Sequence, residues 1–370
     1  MIAAKEFYDS LLAEGFGFFS GVPDSLLQSL CACIEEHTPP EKHIIAANEG
    51  NAVALAAGHY LATRRPGVVY LQNSGLGNAV NPLLSLADSN VYGIPLLLVV
   101  GWRGQPGHRD EPQHQRQGEA TLPLLEAIGV PAYVLEEDYA PQLRTAAAKM
   151  YAESRPVALV VKEGSFSAYP TSPPASCYTL AREQALRAVL AALNTEDIVV
   201  ATTGKTSREL YTLREENAQP RARDFLVVGS MGHAASLALG ISLSSKKKVY
   251  CLDGDGAFLM HMGGLAVAAQ HAPPGFRYIL LNNGAHESVG GQPTVALKAD
   301  AVRILEGCGF APVFAAETEA EVAAAVQRMH CHEKSALVVF LRQGSRPGLG
   351  RPALPPSQSK DIFMDEMEKA

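Results

Sequence analysis

Short runs of apolar and β-branched residues recur along the chain, separated by Ala- and Leu-rich segments with helical spacing. Six such runs lie in the first half of the chain: FGFFSGV, HIIAA, GVVYLQ, IPLLLVV, AYVL and VALVVK. Each is as long as a typical strand and is apolar almost throughout, as expected of strands buried on both faces of a sheet. The alternation of strands with helices predicts a mostly parallel α/β sheet that is covered by helices on both sides.

The pattern stops near residue 164 and then begins again. Residues 164–178, GSFSAYPTSPPASCY, are rich in Ser and Pro and have no apolar period, which is typical of a linker. Six further runs follow it: DIVVATT, FLVVGS, KVYCLDGDG, YILLNN, FAPVFA and ALVVFL. The chain is therefore predicted to form two doubly wound α/β domains. The predicted limits are 1–163 for the first domain, 164–180 for the linker, 181–345 for the second domain and 346–370 for a C-terminal extension that ends in a short helix.

Composition and charge narrow the classes of partner. A length of 370 residues suits about two domains, and a net charge of −7 argues against nucleic acid or an anionic membrane as partner. No apolar run approaches the roughly 18 residues of a membrane span. The first residues, MIAAKEFYDSLLAEG, have an amphipathic helical pattern with acids inside it, which is typical of neither a signal peptide nor a transit peptide. The six scattered cysteines suit free thiols in a reducing compartment, so a cytoplasmic protein is expected.

Polar residues end two of the apolar runs in the second half. Gly254, Asp255 and Gly256 end one run, and Asn282 and Asn283 end the next. Ligands bind at the carboxyl ends of strands in such sheets, and adjacent parallel strands would place the Asp255 carboxylate beside the Asn283 carbonyl. Both are hard oxygen ligands that suit Mg²⁺, and the glycines let a ligand approach the backbone. The pattern predicts a Mg²⁺ that holds a diphosphate.

GDG followed by NN resembles the motif of the thiamin-diphosphate enzymes. The resemblance implies that Asp255, Asn283 and the backbone carbonyl of Ala285 bind Mg²⁺. It also implies that Met231 supports the bent cofactor. The cofactor contacts implied in the second domain are Thr203, Gly204, Gly229, Ser230, Met231, Gly254, Gly256 and Ala257.

The segment AANEGNAVALAAG places Glu49 at the end of a strand and before a helix. The resemblance implies that Glu49 is the catalytic glutamate, which hydrogen-bonds the aminopyrimidine and promotes formation of the ylid that attacks a 2-oxo acid. The apolar residues around Glu49 suit a carboxyl group that shares a proton near neutral pH. The alternative is an acid in the first turn of a helix that only complements the helix dipole.

Longer segments resemble the short two-domain subgroup of the thiamin-diphosphate-dependent 2-oxo acid decarboxylases. These segments include FFSGVPDSLL, QNSGLGNAVNPLLSL, DEPQHQRQG, TTGKTSREL, GSMGHA and LNNGAHESVGGQPT. The resemblance implies decarboxylation of 3-phosphonopyruvate to phosphonoacetaldehyde and CO₂, in a homo-oligomer with active sites between subunits. The alternatives are a decarboxylase of the same architecture that acts on sulfopyruvate, and a non-catalytic protein that binds thiamin diphosphate.

A phosphonate group carries up to two negative charges, so its pocket needs cations or N–H donors. Lys205 and Arg109 are candidates for this contact, although Lys205 could instead bind the cofactor diphosphate or face solvent. The resemblance places Asp24 and Ser25 near the reaction centre. His114 belongs to the polar segment HRDEPQH, which is predicted to be a loop that acts as lid and proton relay.

Overall fold

The computed structural model describes residues 1–170 and 176–369. The chain divides into two compact units. The N-terminal unit is Met1–Pro173 with Val289–Gln292, and the C-terminal unit is Pro174–Ser288 with Pro293–Ala370. No helix within residues 1–170 or 176–369 combines the length and the apolar character that crossing a membrane requires.

The N-terminal unit is built on one parallel sheet. Its strands are β1 (Phe19–Gly21), β2 (His43–Ile45), β3 (Val68–Gln72), β4 (Leu97–Gly101), β5 (Ala132–Val134) and β6 (Val157–Val161). They are ordered β2-β1-β3-β4-β6-β5, and every pair is parallel. All five residues of β4 and of β6 are buried, which is why these runs do not alternate between apolar and polar positions.

Helices cover both faces of this sheet. They are α1 (Ala4–Ala13), α2 (Gln28–His37), α3 (Glu49–Thr63), α4 (Leu76–Pro82), α5 (Pro112–Ala127) and α6 (Tyr139–Glu153). Alternate strand residues enter two separate apolar cores because successive side chains of a strand point to opposite faces. Tyr70 and Val99 pack with α1, α2 and α6, whereas Val69 and Val100 pack with α3, α4 and α5.

The C-terminal unit has a second parallel sheet. Its strands are β7 (Ile198–Ala201), β8 (Asp224–Leu226), β9 (Val249–Gly254), β10 (Phe276–Asn282), β11 (Val313–Ala316) and β12 (Lys334–Phe340). They are ordered β11-β12-β10-β9-β7-β8. Read from the opposite edge, the order is β8-β7-β9-β10-β12-β11. Each strand then has the same place as its counterpart in the first sheet, where β1 corresponds to β7 and β6 to β12. Both sheets therefore change winding direction between their first and third strands.

The helices of the C-terminal unit also lie on both sides of its sheet. They are α7 (Arg182–Ala192), α8 (Lys205–Glu216), α9 (Ala234–Leu243), α10 (Asp255–Met260), α11 (Gly263–His271), α12 (Ala301–Cys308), α13 (Glu319–Met329) and α14 (Pro356–Glu368). One core contains residues of α7, α8 and α13. The other contains residues of α9, α11, α12 and α14, including Phe363 of the C-terminal helix.

The prediction of two doubly wound parallel sheets is confirmed, and each of the twelve apolar runs overlaps one strand. The connection between β9 and β10 contains two helices, α10 and α11. Residues 171–175 of the predicted linker lie outside the described residues. Before them, Phe166 is buried, and Ile2 pairs through its backbone with Ser165 and Ser167. The predicted limits of the domains stay predictions.

Candidate active site

The predicted site residues lie at the carboxyl ends of strands in both sheets. In the N-terminal unit they follow β1, β2 and β4, and in the C-terminal unit they follow β7, β8, β9 and β10. Where a doubly wound sheet changes winding direction, a crevice forms outside the carboxyl ends of the strands, and ligands bind in this crevice. The β1/β3 and β7/β9 pairs mark this point in the two units.

Glu49 is the first residue of α3, and Asn48 caps this helix by accepting a hydrogen bond from the Asn51 N–H at 2.9 Å. The Glu49 side chain does not face water, since the residue is only 4% exposed. Asn78 Nδ2 donates to Glu49 Oε2 at 2.8 Å. Burial raises the pKa of this carboxyl group. An acid that only complements the helix dipole does not need burial, so the environment of Glu49 favours the role in proton transfer.

Gly75, which the sequence did not single out, lies against this carboxyl group. A β-carbon at position 75 would overlap the Glu49 carboxylate, whereas a β-carbon at Gly77 would meet nothing within 4 Å. Gly75 has a φ of −80°, which any residue adopts, so glycine is required here by space and not by backbone conformation. Gly75 and Asn78 together determine where the Glu49 carboxyl group lies.

We expect Gly75→Ala to displace Glu49 and lower activity at least tenfold, with a loss of stability of about 1–3 kcal/mol from overpacking. Gly77→Ala is the matched control in the same motif, and it should retain activity and gain up to about 1 kcal/mol of stability within α4. Urea unfolding and steady-state kinetics on the two variants measure both effects. Equal activity of the two variants would contradict the role given to Gly75.

Asp24 follows β1 and is fully buried. Gln72 Nε2 donates to its Oδ1 at 2.5 Å, and the Leu26 N–H donates to its Oδ2 at 3.1 Å. Burial raises the pKa of Asp24, so the carboxyl group holds a proton at a higher pH than an exposed aspartate does. Asp24 can therefore act as a proton donor at the end of β1.

The cation that contacts Ser25 is Arg103, whereas the side chain of the predicted Arg109 is exposed. Arg103 Nη1 donates to Ser25 Oγ at 3.0 Å. The same guanidinium forms a bidentate ion pair with Asp110, at 2.8 Å from Nε and 2.5 Å from Nη2. This pair holds Arg103 in place beside Ser25.

His114 does not lie in a loop as predicted, because α5 begins at Pro112 and places His114 in its first turn. Pro is favoured at this helical position because its missing N–H would have no partner there. The Nδ1 atom of His114 is buried and has no hydrogen-bond partner among the described residues. Burial, together with the nearby charge of Arg103, lowers the pKa of His114 and keeps the imidazole neutral at neutral pH.

The three predicted metal ligands lie together in the C-terminal unit. Asp255 is 4% exposed and accepts a hydrogen bond at its Oδ2 from Thr294 Oγ1 at 2.6 Å. Asn283 Oδ1 accepts from the Ala285 N–H at 3.2 Å. Burial raises the pKa of Asp255 to about 6. Hydrogen bonds from backbone N–H groups, including that of Ala285, act in the opposite direction and lower this pKa. A bound cation would compensate the cost of burying this carboxylate.

The donor set fits Mg²⁺. It combines a carboxylate, a side-chain amide oxygen and a backbone carbonyl, all of which are hard oxygen donors. Among residues 1–170 and 176–369, no group of three or more His, Cys, Asp or Glu side chains could hold a metal ion, so the softer ligand sets of Zn²⁺ are absent from this part of the chain.

The remaining predicted cofactor contacts lie in the loops after β7 and β8, at the end of β9 and in the first turn of α10. Thr203 Oγ1 donates to the Val228 carbonyl at 2.9 Å, which joins the loops after β7 and β8. A β-carbon at Gly256 would lie 2.9 Å from Met231 Cε, so Met231 reaches the first turn of α10. A β-carbon at Gly254 would meet only Thr202, at 3.9 Å, which leaves space for a diphosphate against this backbone.

Lys205 begins α8 and forms an ion pair with Glu287, with 3.1 Å between Nζ and Oε1. Sequence reasoning did not identify Glu287 or Thr294 as part of this site. Glu287 follows Asn283 by four positions, which was a usable signal, whereas Thr294 gave none.

The chain matches two family models. Residues 1–122 match the thiamine pyrophosphate enzyme N-terminal TPP binding domain, and residues 202–340 match the C-terminal TPP binding domain. The chain is also similar to a phosphonopyruvate decarboxylase of Streptomyces viridochromogenes, with 34% identity over 97% of this chain and 93% of the relative. The chain belongs to the thiamine pyrophosphate enzyme family.

Two further relatives place the chain within this family of thiamine pyrophosphate enzymes. A phosphonopyruvate decarboxylase of Streptomyces hygroscopicus is 33% identical over 99% of this chain and 94% of its own length. A sulfopyruvate decarboxylase of Methanosarcina acetivorans is 30% identical over 94% of this chain and 93% of its own length. The matched TPP binding domains include Glu49 in the first and Asp255, Asn283 and Ala285 in the second.

Proposed function

We propose that this protein decarboxylates 3-phosphonopyruvate to phosphonoacetaldehyde and CO₂ with thiamin diphosphate and Mg²⁺. The observation that carries the proposal is the similarity to two phosphonopyruvate decarboxylases along nearly the whole chain. Two further observations support the proposal. Glu49 is buried and lies against Gly75 and Asn78, and Asp255 lies with Asn283 and Ala285.

The C-terminal unit would hold the diphosphate end of the cofactor. Asp255, Asn283 and the Ala285 carbonyl would bind Mg²⁺. The residues proposed to contact thiamin diphosphate are Thr203, Gly204, Gly229, Ser230, Met231, Gly254, Gly256 and Ala257. When bound, thiamin diphosphate supplies a nucleophilic carbon and an electron sink for the departure of CO₂.

The N-terminal unit would supply the proton transfers. Glu49 would exchange a proton with the aminopyrimidine, because its buried carboxyl group retains a proton closer to neutral pH. Asp24, whose pKa is raised by burial, would donate a proton, and the neutral imidazole of His114 would accept one. The phosphonate would contact Ser25, Lys205 and Arg109, and Arg103 supports Ser25 in this role through their hydrogen bond.

We further propose a homo-oligomer with active sites between subunits, as the family resemblance implies. A cytoplasmic location is also proposed, from the scattered cysteines, which suit free thiols in a reducing compartment. The expectation that neither nucleic acid nor membrane is a partner stays a prediction.

Sulfopyruvate is the second candidate substrate, favoured by the similarity to the Methanosarcina enzyme. A sulfonate and a phosphonate differ in charge but not in overall shape, so the same cationic groups could contact either. The non-catalytic alternative is less favoured, because a protein that only bound the cofactor would not need the buried carboxyl group of Glu49.

The deciding experiment compares the two oxo acids. Purified full-length protein, saturated with thiamin diphosphate and Mg²⁺, is assayed for CO₂ release from each substrate, with Glu49→Gln as the blank. We expect kcat/KM for phosphonopyruvate to be at least tenfold higher than for sulfopyruvate. A higher kcat/KM for sulfopyruvate would identify sulfopyruvate as the substrate. If CO₂ is released from neither oxo acid although the cofactor is bound, the non-catalytic alternative would be favoured.

A further inference from the structure

A buried network of ion pairs lies next to the proposed metal ligands. Arg182, 6% exposed, contacts Glu209 through Nε at 2.7 Å and Nη2 at 3.0 Å. Its Nη1 contacts Glu287 Oε2 at 2.9 Å. Lys205 pairs with the other oxygen of Glu287 at 3.1 Å. Two cations and two carboxylates thus compensate one another, and the network needs no ligand to be neutral.

One contact leads from this network to the metal site. Asn283 Nδ2 donates to Glu287 Oε2 at 2.7 Å. The two ends of an asparagine amide have nearly the same shape and differ in that one is a donor and the other an acceptor. An ionised carboxylate only accepts hydrogen bonds, so it selects the NH₂ end of Asn283. The oxygen end must then face the opposite way, where it meets the Ala285 N–H at 3.2 Å.

We infer that Glu287, held by Arg182 and Lys205, is a positioning residue that turns the Asn283 amide so that its oxygen faces the cation. The inference rests on the proposed function, since it concerns the same Mg²⁺ site. It also assigns Lys205 a second contact besides the proposed one with substrate. Groups that orient a metal ligand typically change metal affinity by about 10–100-fold when they are removed.

Glu287→Gln tests this role because glutamine can present either end of its own amide and no longer selects the orientation of Asn283. Glu209→Gln is the matched control: it removes the same charge from the other carboxylate of Arg182 and touches neither Asn283 nor Lys205 in the described contacts. Asn283→Asp in the Glu287→Gln background should restore binding, because an aspartate offers an oxygen in either orientation and the pair keeps its total charge.

The probe is Mn²⁺, which is titrated into full-length protein at saturating thiamin diphosphate. The electron paramagnetic resonance signal of free Mn²⁺ measures binding, and this measurement requires no turnover. We expect Glu287→Gln to weaken Mn²⁺ binding about 10–100-fold. The Mn²⁺ affinity of Glu209→Gln should stay within about threefold of the wild-type value, even if the unfolding temperature of this variant falls. The Mn²⁺ affinity of the double variant should also stay within about threefold of the wild-type value. If Glu287→Gln is not recovered folded, Glu287→Asp replaces it with the same expected loss, because its shorter carboxylate withdraws from Asn283.

Three results would overturn the inference: wild-type affinity in Glu287→Gln, equal losses in Glu287→Gln and Glu209→Gln, or no recovery in the double variant. Each of these leaves the proposed function standing, because the wild type still binds Mn²⁺ with the cofactor. Failure of the wild type to bind Mn²⁺ with thiamin diphosphate would instead contradict the proposed function, and the inference with it.

Discussion

Replacing Glu49 by glutamine is expected to lower kcat for phosphonopyruvate by about 10²- to 10⁴-fold, the usual contribution of a positioned acid or base. Glutamine keeps the shape of the side chain, and its carbonyl oxygen can still accept the hydrogen bond from Asn78. It cannot take up or release a proton in the working pH range. The loss should therefore appear in kcat, while the dissociation constant of thiamin diphosphate changes less than about threefold.

Isothermal titration with thiamin diphosphate and Mg²⁺ separates binding from turnover in this variant. Glu6→Gln, an exposed acid of the same unit, is the control for loss of a negative charge and should keep wild-type kcat. Since burial raises the pKa of Glu49, the wild type should lose activity as pH rises through that raised pKa. Full activity of the glutamine variant would remove Glu49 from the mechanism.

Asp255→Asn is expected to weaken Mg²⁺ binding more than about 100-fold, because even groups that only orient metal ligands contribute about 10–100-fold. The variant keeps the side-chain shape and an oxygen that can accept from Thr294, but it removes the charge. The Mg²⁺ concentration needed for half-maximal binding of thiamin diphosphate measures the effect. An unchanged requirement would mean that Asp255 is not a ligand.

The same variant should be more stable than the wild type when cofactor and metal are absent. Burial raises the pKa of Asp255 to about 6, so the folded protein binds more protons than the unfolded chain between about pH 4 and pH 6. Asp255 therefore lowers the stability of the wild type as pH rises through this window, by about 3 kcal/mol at most. In urea unfolding, Asp255→Asn should show a smaller slope than the wild type, and part of the slope that remains comes from Asp253, whose pKa burial also raises to about 6. Thr318→Ala removes a helix cap in a distant part of the chain and should keep the full slope.

The strands and their parallel pairing could be predicted because strands buried on both faces must be apolar throughout. The contact between Asp255 and the Asn283 loop could also be predicted, since β9 and β10 are consecutive in the chain and adjacent in the sheet. The position of Arg103 could not, because Arg103 and Arg109 lie in the same polar loop. Only the ion pair with Asp110 decides which of them reaches Ser25.

The sequence alone thus determined the fold class, the identity of the proposed metal ligands and the presence of a glutamate at the start of α3. Tertiary structure decided the environment of these groups, because a pKa and the orientation of an amide depend on neighbours from distant segments. Gly75 and Asn78 bury Glu49 from 26 and 29 positions away, and Arg182, 105 positions before Glu287, helps to hold the carboxylate that orients Asn283. Periodicity along the chain does not encode such contacts, so only the folded structure shows them.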